Sequence, residues 1–263
     1  MKTNENKSSS TIYIILSFDD THYLNRKCAN LLDKYNLRGT FYFDAARISS
    51  SMVEDIRWIS EWNEVGSHGM THRDLTKLTF GELIYECGKS KEVLENLIGK
   101  PVNSFAYPYG FFNEKVRKVI RDCGYINART FMLGNTDIDD DIFALRVTLG
   151  ATSYGYRKIP FFVKSIGIYE LLYNPWLIRR WDKLVDKIFE KLLYESKKRK
   201  KILHLVIHAD FIELKNEWDK LEEVLSILSS STNSKNLTVS EYAKICKEAV
   251  SYTHLTLPTN REV

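Results

Sequence analysis

The 263-residue sequence lacks the features of disulfide-bonded and membrane-spanning proteins. Its four cysteines are widely spaced and include no Cys-x-x-Cys pair, a pattern typical of reduced thiols in a cytosolic protein. No stretch reaches the roughly 18 apolar residues that a membrane helix requires. Internal repeats and low-complexity linkers are also lacking. These absences favour one soluble domain.

The two ends of the chain and its net charge exclude further classes. Residues 1–10 are polar and contain no apolar signal-peptide segment, so we expect a cytoplasmic protein that is not exported. The formal net charge of +4 is small for this length and gives no reason to infer nucleic-acid or membrane binding. Residues 251–263 lack a periodic pattern and resemble vector-derived read-through, so we interpret them as a non-native tail.

Apolar runs alternate with amphipathic stretches over residues 11–250. This alternation predicts an α/β fold with a mainly parallel sheet, either open or closed into a barrel. Residues 153–200 interrupt the rhythm and predict one or two inserted helices, whose aromatic side chains we expect in the core or between helices. The predicted strands are residues 11–18, 39–43, 65–67, 102–107, 125–129, 142–149 and 202–207.

Polar side chains follow several of the predicted strands. The first strand ends in the adjacent carboxylates Asp19 and Asp20, and His68 and His72 follow a later strand at a spacing of four residues. The two imidazoles can share one metal ion, or they can be two solvated loop histidines. Two histidines and one aspartate would form a three-ligand site with an open position for water, and the second aspartate could then accept a proton from that water.

Two further sequence features lie at strand ends. His208 ends the strand at 202–207, a position that favours catalysis in a barrel, whereas His204 within that strand is interpreted as a buried structural histidine. Residues 107–110, Tyr-Pro-Tyr-Gly, follow another strand. They predict either a simple turn or a turn that directs a backbone N–H into the site.

In this order, these pieces resemble the motifs of the polysaccharide deacetylases, the NodB-homology domain of carbohydrate esterase family 4. The corresponding segments are Ser-Phe-Asp-Asp at 17–20, His-x-x-x-His at 68–72, Pro-Tyr-Gly at 108–110 and the strand that ends in a histidine at 202–208. The resemblance covers about residues 11–250 and implies a distorted (β/α)7 barrel.

The resemblance also implies a role for each matching residue. It makes Asp19 the general base and His208 the general acid, and Tyr109 the residue whose backbone N–H stabilises the oxyanion, with Pro108 and Gly110 as orienting neighbours. The metal ligands that it implies are Asp20, His68 and His72.

The sequence departs from the family pattern in two places. Many members have an arginine that orients the catalytic aspartate at the position of Ala106, and we hypothesise that Arg129 or Arg146 takes over this role. The Asp-rich motif of the family is not recognisable either, and we interpret residues 135–141 as a solvated acidic turn.

The activity implied by the resemblance is metal-dependent removal of N-acetyl groups from an N-acetylated saccharide, which releases acetate and an amino sugar. Zinc is the expected ion, and cobalt or nickel would suit the same ligands. Two alternatives stay open: an amidohydrolase or esterase that acts on a non-polysaccharide acyl substrate, and a non-catalytic carbohydrate-binding barrel. We expect no nucleic-acid partner, and the sequence predicts no oligomeric state.

Overall fold

The computed structural model describes residues 11–154 and 156–255. The predicted N-terminal tail, residues 1–10, and residues 256–263 of the predicted non-native tail lie outside the described part of the chain. Helix α11, Val239–Leu255, includes residues 251–255, so the first part of the predicted non-native tail is helical.

A parallel sheet forms the centre of the described chain. Seven of its strands lie in the order β5-β4-β3-β2-β1-β7-β6 and form a curled half-barrel, which confirms the predicted α/β fold of the distorted (β/α)7 type. An unpredicted strand, β8, pairs with β1 outside this order. The strands are β1 Ile12–Asp19, β2 Thr40–Phe43, β3 Glu64–Ser67, β4 Ser104–Ala106, β5 Asn127–Arg129, β6 Leu149–Gly150, β7 Lys201–His208 and β8 Ser234–Leu237.

The segment between β5 and β6 differs from the predicted strand at 142–149. Only Leu149 and Gly150 form a ladder, because the residues before them bond to two different neighbours. The Thr130 amide of the β5 side donates to Leu145 O at 2.8 Å, whereas the Thr148 amide donates to His204 O of β7 at 2.9 Å. This irregular segment bridges the two sides of the half-barrel.

Helices cover the outside of the sheet. Thr79 and Glu82 form a capping box at the start of α3, and Gly99 ends the same helical stretch in the left-handed conformation, with φ of 67°. A single π-helical turn, Tyr85–Lys89, interrupts that stretch. The remaining α-helices are α1 Asn25–Lys34, α2 Val53–Trp62, α3 Phe80–Ile84, α4 Ser90–Ile98, α5 Glu114–Asp122, α6 Ile159–Ile166, α7 Ile168–Tyr173, α8 Trp181–Glu195, α9 Ala209–Leu214 and α10 Trp218–Ser229.

The inserted segment, residues 153–200, contains more helices than the sequence predicts. It contains α6, α7 and α8, where one or two helices were predicted. Phe162 and Trp181 are buried as expected, but Tyr169 and Tyr173 on α7 are 74% and 82% exposed. The expectation that the aromatic residues of this segment pack inside is therefore correct only in part, because α7 is short and turns one side outward.

Strand β1 has two different faces, since successive side chains of a strand point to opposite sides. One face packs in the hydrophobic cluster beneath the helices and consists of Ile12, Ile14, Leu16 and Phe18. The other face points into the barrel and consists of Tyr13, Ile15, Ser17 and Asp19. The last residue of the strand therefore places a carboxylate inside the barrel at its carboxyl end.

The described residues contain no helix that is both long and apolar enough to cross a membrane. The four cysteines are unpaired thiols, as the sequence indicated.

Candidate active site

Strand register brings the first carboxylate and the last histidine together. Asp19 and His208 are aligned partners on the neighbouring strands β1 and β7. The next residue, Asp20, has φ of 70°, and its carbonyl oxygen accepts a 2.8 Å hydrogen bond from the Asn25 side chain. Because α1 begins at Asn25, the start of this helix fixes the turn that directs the second carboxylate toward the site.

The two histidines belong to a loop that follows β3. The His68 ring lies with Nδ1 2.8 Å from Ala106 O, so Nδ1 carries the proton and Nε2 is left as a free donor atom. Burial lowers the pKa of His68, which favours the neutral imidazole that a metal ion needs. His72 adopts φ of 57°, and this turn brings its ring to 4.6 Å from that of His68.

Asp20, His68 and His72 have donor atoms that lie within 4.8 Å of one another. Asp20 Oδ1 lies 3.5 Å from His72 Nε2 and 3.9 Å from His68 Nε2, close to the roughly 3.4 Å that separates the ligands of one tetrahedral zinc ion. Oδ1 is buried and has no hydrogen-bond partner among the described residues. A cation would satisfy this oxygen, so the three side chains fit a divalent metal ion.

A residue that the sequence reasoning missed supports this histidine loop. Glu86, which is 1% exposed, accepts hydrogen bonds from the amides of Met70 and Thr71 at 2.9 Å each and from the Thr71 hydroxyl. The carboxylate belongs to the π-helical turn, a feature that is frequent at functional sites. No motif signals Glu86 in the sequence, because its role arises only from tertiary contact.

Asp19 forms a buried ion pair with Arg129. Arg129 Nη2 donates to both carboxylate oxygens, at 2.5 and 2.6 Å, and the two side chains are 4% and 1% exposed. Burial by itself would raise the pKa of Asp19, but the charges of Arg129, His68 and His208 outweigh it and lower the pKa to about 2. Asp19 is therefore ionised at all physiological pH values.

Register explains why Arg129 can reach this aspartate. Ala106 on β4 and Arg129 on β5 are aligned partners on adjacent strands, and the small Ala106 is fully buried inside the barrel. An arginine on the next strand at the same level thus contacts Asp19. The guanidinium also lies 5.1 Å above the ring of Tyr42, which packs beneath it.

Arg146, the other candidate, lies elsewhere. Its Nε donates to Asp139 Oδ1 at 2.7 Å, and it neither contacts Asp19 nor lines the active-site cavity. The expectation of a solvated acidic turn at 135–141 is wrong for Asp139, which is 2% exposed. The Tyr242 hydroxyl donates to Asp139 Oδ2 at 2.9 Å, so this aspartate is a buried structural residue.

The Pro-Tyr-Gly turn lies at the mouth of the site. Tyr109 has φ of 60°, and its ring is 4.7 Å from that of His72. Gly110, with φ of 76°, has no room for a side chain because a Cβ there would lie 2.6 Å from the Phe131 amide. Tyr109 and Gly110 line the cavity, whereas Pro108 is buried behind the turn.

These groups surround one cavity of about 350 Å³. Phe131 and Phe211 form aromatic walls around His208, with the Phe211 ring stacked at 5.1 Å and the Phe131 ring at 6.5 Å. The sequence reasoning missed both residues, although each follows a predicted site residue by two or three positions. The predicted residues that line the cavity are Asp19, Asp20, His68, His72, Tyr109, Gly110, Arg129 and His208.

Comparison with known proteins gives the same family. A family model described as polysaccharide deacetylase matches residues 6–128, just under half of the chain. Over these residues, the chain is similar to the polysaccharide deacetylases. The match includes Asp19, Asp20, His68, His72 and the Pro-Tyr-Gly turn, whereas His208 lies beyond it.

Relatives of this family resemble the chain at low identity. The peptidoglycan-N-acetylmuramic acid deacetylase PdaC of Bacillus subtilis is 28% identical over 110 residues, which are 41% of this chain and 24% of the relative. Chitin deacetylase 1 of Cryptococcus neoformans is 26% identical over 131 residues, which are 47% of this chain and 27% of the relative. The chain thus spans only about a quarter of the length of these two relatives.

Solved structures of polysaccharide deacetylases share the fold. The structure of PdaC from Bacillus subtilis, a D285S mutant, matches with a TM-score of 0.56 at 17% identity and covers 93% of this chain and 97% of its own. A family 4 acetyl xylan esterase from Clostridium thermocellum, in complex with a cobalt ion, matches with a TM-score of 0.56 at 14% identity and covers 89% and 91%. These likenesses show that the fold is shared over most of the chain.

Proposed function

We propose that this protein is a metal-dependent hydrolase that removes N-acetyl groups from an N-acetylated saccharide. The observation that carries the proposal is the donor set of Asp20, His68 and His72 beside a second carboxylate and a second histidine, all in one cavity. Such a set contains metal ligands, a proton acceptor and a proton donor within reach of one substrate group. The match of residues 6–128 to the polysaccharide deacetylase model supports the same activity class.

The side chains divide the chemistry between them. Asp19, held by Arg129, would accept a proton from the attacking water, and His208 on the adjacent strand would donate one to the leaving amine. The Tyr109 N–H would donate a hydrogen bond to the oxygen that becomes negative. Phe131 and Phe211 would keep bulk water from the acyl group.

A divalent ion held by Asp20, His68 and His72 would supply Lewis acidity, which acidifies the water and polarises the acyl carbonyl. This contribution matters here because a carboxylate with a pKa of about 2 is a weak base by itself. Zinc is the ion that we propose, with cobalt or nickel as substitutes for the same ligands. The cytoplasmic location stays a prediction.

The first test separates metal binding from proton transfer. Asp19→Asn should lower kcat by about a thousandfold or more while the protein still binds about one zinc by elemental analysis, because the substituted amide cannot accept the proton. The matched change His72→Ala should lose both the zinc and the activity. The assignments are contradicted if both variants retain zinc, or if Asp19→Asn is fully active.

The second test addresses the substrate. Zinc-loaded protein is incubated with N-acetylated saccharides, O-acetylated xylan fragments and simple acetanilides, and mass spectrometry measures the loss of acetyl. Release from the N-acetylated saccharides supports the proposal, and release only from the other two classes supports the amidohydrolase or esterase alternative. Metal binding without release from any of them would favour a non-catalytic carbohydrate-binding barrel.

A further inference from the structure

A second cavity, of about 580 Å³, lies directly beside the active-site cavity. Phe131 lines both cavities and forms the partition between them. A second contact links the two walls: the Tyr154 hydroxyl accepts a 2.5 Å hydrogen bond from the amide of Gly150. Gly150 lines the active-site cavity and Tyr154 lines the second one, so the two cavities are adjacent and separated by a thin wall of side chains.

The charges of the second cavity have one sign. Among the described residues, its lining includes Lys158, Lys164 and Arg146 and contains no aspartate or glutamate. Lys158 lies 5.0 Å above the ring of Phe161, and the described residues place no carboxylate within ion-pairing distance of its amine. A cation that is held against an aromatic ring without an acidic partner remains available for an anionic ligand.

Arg146 is already paired with Asp139 at 2.7 Å, so the two lysines are the cations that remain to be considered. Lys164 pairs with Asp137 at 2.7 Å, but Asp137 is also within 3.0 Å of Lys201 and 3.4 Å of Arg199. Three cations thus share this one carboxylate. Lys164 is 68% exposed and can turn toward a ligand while Lys201 continues to hold Asp137.

The remaining surface of the second cavity is apolar. Phe161 and Met132 are 46% and 53% exposed, and they flank the cations. Carbohydrates present apolar ring faces together with polar edges, and an aromatic surface bordered by cations suits a sugar that carries a negative group. Phe161 belongs to α6 of the inserted segment, so this surface is formed outside the residues that match the family model.

We propose that the second cavity is a subsite for an anionic group, a carboxylate or a phosphate, on the saccharide that flanks the acetylated sugar. Lys158 and Lys164 bind the anion, and Phe161 packs against the sugar that carries it. The subsite rests on the proposed deacetylase function, since it extends the same cleft. With this subsite, the preferred substrate is an acidic saccharide, and the inserted helices determine specificity.

The kinetic test compares two charge-matched double variants. In Lys158→Ala/Lys164→Ala, the ratio of kcat/KM for an acidic to a neutral N-acetylated oligosaccharide should fall about tenfold to a hundredfold, mainly through KM. Lys89→Ala/Lys118→Ala removes two exposed lysines that line neither cavity and should leave the ratio within about twofold. An equal ratio in the two double variants would overturn the subsite.

A binding test separates the subsite from the activity. Calorimetry measures the binding of N-acetylmuramic acid and of N-acetylglucosamine 1-phosphate to the zinc-loaded protein, with N-acetylglucosamine as the neutral reference. Tighter binding of one acidic sugar, lost in Lys158→Ala/Lys164→Ala and kept in the control, supports the subsite and identifies the anion as carboxylate or phosphate. Binding of neither acidic sugar above the neutral reference overturns it.

The two proposals fail in different ways. A protein that binds an acidic sugar through the two lysines but releases no acetate would refute the deacetylase and keep the anion subsite. A protein that releases acetate equally well from acidic and neutral saccharides would keep the deacetylase and refute the subsite.

Discussion

Two buried aspartates in this barrel each pair with an arginine, and their environments differ. Asp19 and Arg129 are both almost fully buried, and one guanidinium nitrogen contacts both carboxylate oxygens. Asp139 is equally buried, but Arg146 contacts it mainly through Nε and its own side chain is 36% exposed. In the first pair both charges lie inside the barrel, and in the second the cation lies partly in water.

The pKa values of the two carboxyls shift in opposite directions. Burial raises both, but Arg129 and the histidines overcome it at Asp19, whose pKa falls to about 2. At Asp139 burial prevails over Arg146, and the pKa lies above its usual range. Solvent screens the exposed guanidinium, so one cation at a similar distance stabilises its aspartate less. The comparison shows that the surroundings of an ion pair decide whether the pKa of its carboxyl group falls or rises.

The largest expected effect comes from breaking the first pair. Arg129→Ala should lower kcat about a hundredfold and cost about 3–5 kcal/mol of the free energy of unfolding, since it leaves the Asp19 charge buried without its partner. Deacetylation assays and urea unfolding measure the two losses. The control Asp139→Asn breaks the other pair and should keep kcat within about threefold; near-normal activity in Arg129→Ala would refute the orienting role.

A smaller effect should follow from moving the arginine to the neighbouring strand. Ala106 is aligned with Arg129, so Ala106→Arg in the Arg129→Ala background should recover about tenfold of the lost kcat. Ala106→Leu in the same background supplies similar bulk without charge and should recover none. Equal recovery with leucine and arginine would mean that packing, and not charge, positions Asp19.

The pH dependence of stability should have opposite signs at the two aspartates. The pKa of Asp19 is depressed from 3.8 to about 2, so its contribution of about 2 kcal/mol is present above pH 4 and is lost as the pH falls toward 2. The pKa of Asp139 is raised in the folded protein. Its contribution to the free energy of unfolding is therefore present below the pKa of the unfolded chain and is lost as the pH rises through the pKa of the folded protein.

Urea unfolding of the wild type and of each Asp→Asn variant over this pH range measures the difference. The stability advantage of the wild type over Asp19→Asn should shrink with acid, and its advantage over Asp139→Asn should shrink with rising pH. Parallel curves for the two variants would contradict the opposite shifts.

The smallest effect is expected at the edge of the second pair. Tyr242→Phe removes one neutral donor from Asp139 and should cost about 1 kcal/mol in urea unfolding, with kcat within about twofold of the wild type. A large loss of activity in this variant would show that the second pair is coupled to the active site.

Much of the fold was predictable from local patterns. The apolar runs at β1 and β7, the capping box at Thr79 and the glycine after α4 each act through neighbours in sequence, and the structure contains them. Strand β8 and the irregular segment 142–148 were not predictable in this way. β8 is a short, polar strand that pairs at the side of β1. Residues 142–148 divide their hydrogen bonds between β5 and β7, and β7 lies far away in sequence.

The sequence by itself determined the chemical groups of the candidate site and the strand ends that carry them. Alternation placed Asp19, His68 and His208 at carboxyl ends of parallel strands, where such ends meet. It could not choose between Arg129 and Arg146, because that choice depends on the register between β4 and β5 and on which guanidinium enters the barrel. Burial of Asp139, support of the histidine loop by Glu86 and the cavity beneath α6 were likewise decided by tertiary structure, since each arises from residues that only folding brings together.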